Sequence, residues 1–258
     1  MLTENRYVNG QYLEKVQDWH EDEAEWKSNK ILLMLERHQI YPKSVCDVGC
    51  GSGGILAELQ KNYGFDVEFT GYDISPQAIE ICKKKENRKL KFYNKDFLNT
   101  DSGPYDVLLF LDVLEHIPDY MDFLNKLKKR SVLFVFHVPL DISITTIIRK
   151  VHLTHMRQYY GHLHYFNKET ALAVLVHCGF SIVDYFYTVD NYGVSDFFYS
   201  VKKAINDKKH KLARRILMKL ALTTWLKFRK LSFWLNPDLS SSLFRGFNLL
   251  VLAKGRLE

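Results

Sequence analysis

The chain has no run of about 18 uninterrupted apolar residues, which argues against a membrane-spanning helix. Its four cysteines, Cys46, Cys50, Cys82 and Cys178, contain no CxxC pair and read as buried, reduced thiols of a cytosolic protein. The opening MLTENRYVNGQYLEKVQDWHEDEAEW lacks the basic-then-apolar order of a secretory signal. Internal repeats and low-complexity tracts are missing too. Acids are nearly absent from one segment: between Lys202 and Lys230 eleven bases face the single acid Asp207, a net +10. Since the whole chain carries +6, everything outside that segment sums to −4. The basicity therefore belongs to one segment and not to the fold. What is plentiful is apolar material: 47% of 258 residues is enough to bury a substantial core in one or two domains.

Along the chain, strand and helix patterns alternate. Residues 11–38 read as a helix. Short apolar strands are expected at Ser44–Val48, Val67–Tyr72, Lys89–Tyr93, Tyr105–Leu111, Ser131–Val138, Phe180–Tyr187 and Phe247–Ala253. Between them, helices are expected over Gly53–Lys61 with Ser52 as cap, from Ser75–Pro76 to about Lys85, around Tyr120–Lys129, and from Asn167 to Gly179. This alternation predicts an α/β fold with an open, mostly parallel sheet, whose ligand crevice lies beyond the carboxyl ends of the strands.

That is where the chain places VCDVGCGSGG, residues 45–54. Glycine allows tight turns and close approach of backbone to a ligand. Gly49, Gly51 and Gly54 satisfy GxGxxG, and Gly49, Gly51 and Gly53 satisfy GxGxG, so the loop alone does not choose its ligand. Neighbouring acids narrow the choice. Asp73, at the end of the second strand with Ile74 beside it, is placed to accept ribose hydroxyls. Asp47, just ahead of the loop, would repel a pyrophosphate but attract an ammonium or sulfonium. Asp96 is placed for an adenine amine, with Phe97 to cover the ring. A cationic adenosine ligand, S-adenosylmethionine, suits all these positions. Each residue also has a plain reading alone: a tight turn at Gly49–Gly54, a helix-entry acid at Asp73, a loop acid at Asp96.

In order, D-V-G-C-G-S-G, G-Y-D-I-S-P, N-K-D-F, F-L-D-V-L-E-H-I-P-D and G-H-L-H-Y-F…G-F resemble the motifs of class I S-adenosylmethionine-dependent methyltransferases, nearest the small-molecule subgroup with ubiquinone-type and sugar-modifying enzymes. The resemblance covers about residues 19–189 and the final strand. It implies a Rossmann-like sheet with helices on both faces, an antiparallel last strand, and an N-terminal helical cover. It also implies that Asp47 and Gly49 face the methionyl part, Asp73 the ribose, and Asp96 with Phe97 the adenine. Leu111 and Asp112 would close the cofactor pocket. Residues 1–43 would be the cover, 44–190 and 244–258 the core, and 191–243 an insertion foreign to the family pattern.

Methyl transfer to a hydroxyl needs a base, and imidazole titrates near neutrality. His116, in LDVLEHIPD, is either that base or a side chain holding its loop. His162 and His164 either face the substrate or steady the helix start at Asn167. His152, His155, His162 and His164 form H-x2-H-x6-H-x-H, but with no Cys or carboxylate inside the cluster a metal site is not expected. LDVL stands where an N-P-P-Y-like tetrapeptide would grip a flipped base, and no Pro-Cys follows, so nucleic acid is disfavoured as substrate. Trp19, His20, Trp26 and Lys27 would lie over the cofactor mouth, or the tryptophans would dock their helix on the core. In the basic segment Leu212, Ile216, Leu217 and Leu220 share one helical face, with Trp225, Phe228, Phe233 and Trp234 beyond. That segment reads as a lid, as a membrane-surface contact, or as a solvated helical hairpin that covers apolar surface with long Lys and Arg stems; the lid is favoured, with an anionic substrate or a membrane surface as a further partner for residues 202–235. The expected function is methylation of a small molecule, at a hydroxyl of a sugar or glycoconjugate precursor or of a lipid-like quinol. The rivals are a non-catalytic adenosine-binding module and an RNA methyltransferase using the basic segment.

Overall fold

The computed structural model describes Tyr7 and residues 21–148, 151–189 and 212–255. Seven strands form one sheet: β1 (Ser44–Val48), β2 (Glu68–Asp73), β3 (Leu90–Asn94), β4 (Tyr105–Leu111), β5 (Ser131–Pro139), β6 (Phe180–Thr188) and β7 (Asn248–Gly255). Their order is β3-β2-β1-β4-β5-β7-β6, and β7 alone runs antiparallel to its neighbours. The order reverses between β1 and β4, so the crevice at their carboxyl ends is the switch point where such sheets bind ligands.

Strand alternation assigns the two faces. Val45, Val107, Leu109 and Leu111 pack with α1 (Ala24–Arg37), α2 (Gly54–Tyr63) and α3 (Pro76–Cys82). Cys46, Val48, Leu108 and Phe110 pack on the opposite side, with α4 (Tyr120–Leu127) and α7 (Lys168–His177). Both sides of the central strands are fully covered, which is why β4 reads as a continuous apolar run. All four cysteines are free and buried.

Most expected boundaries hold within one or two residues; the departures have local causes. The helix after the glycine loop is not capped by Ser52. Its N-cap is Gly53, at φ 74°, where a Cβ would lie 2.5 Å from the Phe92 ring. The helix opened by Ser75 ends at Cys82 and continues as a single 3-10 turn over Lys83–Lys85. Ser75 does cap it, accepting from the Ala78 amide, with Pro76 at the first helical position. Asn167 caps α7 through a reciprocal pair of bonds with Thr170. Two helices, α5 (Ile144–Ile148) and α6 (Val151–Tyr159), were not expected; their β-branched and histidine-rich sequences carry no clear apolar stripe. The first helix is described from the turn at Glu21–Glu23 onward, and the expectation for residues 11–20 lies outside the described residues.

The last helices are α8 (Leu212–Leu235) and α9 (Pro237–Leu243). Trp225 and Phe233 pack against the core, the Arg229 guanidinium sits 4.6 Å over the Phe247 ring and donates to the Gly246 carbonyl, and Asp238 receives bonds from Lys168 and the Tyr187 hydroxyl. No helix among the described residues is long and apolar enough to cross a membrane.

Candidate active site

The carboxyl ends of β1, β2, β4 and β5 open into a cavity of about 690 Å³. Its first end is made by the glycine loop. Gly49 and Cys50 donate their amides to the Tyr72 carbonyl, which folds the loop back over β2. Gly49 has φ 80°, and a Cβ there would lie 2.7 Å from Val113, so the position is closed to other residues. Asp73 accepts from the amides of Gly51 (2.9 Å) and Ser75 (2.8 Å), so it pins the loop as well as facing the cavity. The helix-entry and ligand-facing readings of this residue are therefore compatible. Burial raises its pKa to about 6 in spite of those amides.

Asp47 is 1% exposed, borders the cavity, and has one carboxylate oxygen, Oδ1, with no hydrogen-bond partner. Burial, with the nearby charge of Asp73, pushes its pKa to about 8. An unpartnered buried carboxylate oxygen calls for a donor, and an ammonium from a ligand in the cavity answers it. Ile74, half exposed, and Asp96 border the same end. Asp96 already accepts from the Leu98 amide and the Asn99 side chain. Phe97 borders the cavity beside Asp96, with most of its ring buried against Tyr72 and Tyr105.

Leu111 and Asp112 also border the cavity. Asp112, at φ 56°, is held from two sides: Lys27 Nζ reaches Oδ2 at 2.7 Å, and His137 Nδ1–H donates to Oδ1 at 2.6 Å. Lys27 also bonds Glu23 (2.6 Å), and His137 Nε2 meets the Thr188 hydroxyl (2.8 Å). Burial would raise the Asp112 pKa, but His137 and Lys27 hold it far below the usual carboxylate range. Lys27 is kept firmly charged by the same pairing, against the pull of burial. Lys27 thus borders the cavity as anticipated, while Trp26 packs edge-on against His137 and docks its helix on the core. Trp19 and His20 lie outside the described residues.

The second end gathers side chains from distant loops. His116 Nδ1 lies 3.0 Å from the Tyr7 hydroxyl, and its Nε2 lies 3.8 Å from Glu115 Oε1. His162 is buried, with Nδ1 2.6 Å from Asp141, and its ring meets that of His116 edge-to-face at 5.0 Å. Burial disfavours charge on His162, but the bond and charge of Asp141 outweigh it and raise the pKa. Glu115 is 1% exposed; burial lifts its pKa to about 8, and its Oε2 has no partner. The Glu115 carbonyl receives the amides of Leu163 (2.7 Å) and His164 (3.2 Å), which fastens the two loops together.

His116 and His162 therefore converge, and His164 does not. His164 Nε2–H donates to the carbonyls of Ile117 and Pro118, its ring packs on Tyr120, and it does not border the cavity. It holds the His116 loop. Of the four-histidine pattern, His155 stacks on Tyr159 and His164 bonds the Ile117 and Pro118 carbonyls, while the His152 side chain is outside the described residues. Glu115, Asp141, His137 and Arg245, all at the cavity, were missed. Glu115 had a signal, standing next to His116 in LEHIPD. Asp141 lies 21 residues from its partner and had none. Among the described residues, nothing from α8 or α9 borders the cavity, so the lid expected there has no described inner face.

Residues 18–185 match the family model for the methyltransferase domain, and the chain belongs to that family. A ubiquinone biosynthesis O-methyltransferase of Vibrio parahaemolyticus is 34% identical over 114 residues, 39% of this chain and 47% of that protein. Ajmaline N-methyltransferase of Rauvolfia serpentina is 27% identical over 114 residues, 40% of this chain and 38% of that protein. These matches span about half or less of the relatives' lengths. Among solved structures, a mycolic acid cyclopropane synthase with bound S-adenosylhomocysteine superposes with TM-score 0.59 at 15% identity, covering 88% of this chain and 83% of that one. The magnesium protoporphyrin IX methyltransferase of Synechocystis PCC 6803 does so with TM-score 0.53 at 19% identity, covering 65% and 78%. At these identities the structural likeness speaks for the fold.

Proposed function

We propose that the chain uses S-adenosylmethionine to methylate a hydroxyl of a small molecule. The observation that carries this is Asp47: a buried, cavity-facing carboxylate with an unpartnered oxygen, set directly before a glycine loop that Asp73 pins. An ammonium beside Asp47, ribose hydroxyls at Asp73 and an adenine toward Ile74 and Asp96 account for the first end. The bound cofactor supplies a methyl group already activated by sulfonium charge. The protein then has to orient the acceptor behind that methyl and keep water away, a contribution of ~7–11 kcal/mol when alignment is good.

The second end supplies what an oxygen acceptor needs. Its hydroxyl proton must be lost, and the Glu115–His116–His162 corner is the polar part of that wall. His116 is the residue proposed to face the hydroxyl. O-methyltransferases named for ubiquinone biosynthesis among the relatives favour a hydroxylated ring of the quinol class over a sugar. We also propose the division into an N-terminal cover, a core and a basic segment. The segment serves as a contact for an anionic surface or substrate, since Phe228, Leu231, Trp234 and Leu235 are exposed beside Lys227 and Lys230. Binding of anionic vesicles that fades with added salt is the expected result for that contact.

The test is a screen of catechols, hydroxylated quinol precursors, sugars and RNA with methyl-labelled cofactor. Label is expected on a hydroxylated small molecule, with His116→Ala lowering turnover ~10²-fold or more while cofactor affinity is kept. Label on RNA, or on no acceptor while cofactor binds, would replace this reading with one of its rivals.

A further inference from the structure

Three groups at the second end share a feature that proton transfer alone does not require. Among the described residues, Glu115, His116 and His162 bring one ligand-type atom each to within 4.8 Å of one another. We infer that this trio binds a divalent transition-metal-type cation, which takes the acceptor hydroxyl as a further ligand. The inference rests on the reading of this end as the acceptor site.

Several observations favour an ion over a plain side-chain cluster. The Glu115 carboxylate is 1% exposed and borders the cavity, yet Oε2 has no partner and Oε1 lies 3.8 Å from His116 Nε2, beyond hydrogen-bond reach. His162 is oriented as a metal-bound histidine is: a buried carboxylate, Asp141, takes Nδ1–H at 2.6 Å and so presents Nε2. The Tyr7 hydroxyl at His116 Nδ1 is the equivalent outer contact on the second ring. The two loops that carry the trio are fastened by the bonds from Leu163 and His164 to the Glu115 carbonyl, so the corner is built before any ligand arrives. Ligand atoms ~2.0–2.2 Å from one ion stand roughly 3.3–3.6 Å apart. A bound ion would draw the three atoms closer than the 4.8 Å within which they now lie.

Two nitrogens and one carboxylate suit zinc, manganese or iron better than magnesium or calcium, which prefer all-oxygen shells. Three protein ligands leave positions open for substrate. An acceptor hydroxyl on the ion is acidified, as bound water is. Its proton leaves to solvent and the oxygen keeps the electron pair. That pair forms the new C–O bond as the methyl–sulfur bond breaks and its electrons return to sulfur. His116 then serves as a ligand, not as the base, and a vicinal diol or catechol would chelate through both oxygens. The sign of the local field agrees: Asp141 lies against His162 beside Glu115, and a cation at the trio would offset these carboxylates, whereas Asp112 is already paired with Lys27 and His137.

The experiment uses the whole chain, treated with chelator and dialysed, then titrated with cobalt(II) by visible absorption and with zinc(II) by calorimetry, without acceptor. Each form is titrated separately with S-adenosylhomocysteine. One ion per chain is expected. Glu115→Gln and His162→Ala should each abolish the site, and Asp141→Asn should weaken it 10–100-fold, with S-adenosylhomocysteine affinity unchanged in all three. No ion bound by a chain that still binds S-adenosylhomocysteine would overturn the metal site and leave His116 as base. The same follows if ion binding is indifferent to Glu115→Gln and His162→Ala. Ion binding without S-adenosylhomocysteine binding would keep the metal site and overturn the proposed cofactor.

Discussion

The two ends of the cavity each bury a carboxylate with one oxygen left unpartnered, Asp47 in one and Glu115 in the other, yet they are built in different ways. The end proposed for the cofactor is mostly backbone. A loop of glycines, folded over β2 and pinned by Asp73, comes from one β-α turn and the strand beside it. The acceptor end is mostly side chains, brought from residues 115–116, 141 and 162 by three separate loops. The first is fixed by local geometry that only glycine permits; the second depends on long-range bonds between loops. An unpartnered buried carboxylate is costly in either place. Both are explained if each end is completed by a cationic group: an organic ammonium at Asp47, and a metal ion at Glu115.

The largest effect expected at the cofactor end is from Asp73→Ala. Two charge-assisted ribose bonds at ~1.5–3 kcal/mol each correspond to a loss of about 10²–10⁴ in S-adenosylhomocysteine affinity. Circular dichroism would confirm that the fold survives. An affinity within a few-fold of the parent would mean that Asp73 only pins Gly51, and the comparison would lose its first term.

Between the ends, Lys27→Met leaves Asp112 without one of its two partners. A stability loss of about 3 kcal/mol is expected in urea unfolding, the low end for breaking a buried pair, because Asp112 keeps some solvent. A loss under about 1 kcal/mol would show that His137 alone suffices.

Asp47→Asn sharpens the comparison by moving affinity and stability in opposite directions. Loss of the ammonium contact should weaken S-adenosylmethionine binding about 10–100-fold. The unliganded fold should gain stability at high pH. Burial raises the Asp47 pKa to about 8, from an unfolded value near ~4, so the folded chain holds the proton more tightly. The parent's stability is therefore full below about pH 4 and declines as pH rises toward 8, by an amount on the order of a few kcal/mol. The variant should lack most of that decline. Parallel unfolding curves for the two proteins at pH 5 and pH 9 would contradict this.

The smallest effect is expected from His164→Ala. Losing its bonds to the Ile117 and Pro118 carbonyls should cost about 1 kcal/mol of stability, with cofactor affinity intact. A large fall in turnover beyond what loop loosening explains would return His164 to the site.

The same contrast explains what was legible beforehand. The strand positions, the glycine loop, Asp47, Asp73 and the caps at Ser75 and Asn167 follow from local apolar patterning and from turn and cap chemistry, and the sequence carries those rules within a few residues. Phe97 borders the cavity as well as packing on Tyr72 and Tyr105, a core contact that no local rule announced. The Asp141–His162 and Lys27–Asp112–His137 pairings join residues 21 to 85 positions apart, and no spacing rule predicts them. His162 and His164 are two positions apart, a spacing that regular extended backbone would keep on one face, yet they end in different places because the loop that carries them is irregular: His162 meets Asp141 and His164 the Ile117 carbonyl.

The most direct test of the account is calorimetric titration of the purified chain with S-adenosylmethionine and, separately, with NAD. Micromolar binding of S-adenosylmethionine, one per chain and weakened by Asp47→Asn, with no heat from NAD, is the predicted result. Tight NAD binding with none for S-adenosylmethionine would contradict it, because a pyrophosphate would then be resting against the carboxylate that this account reserves for an ammonium.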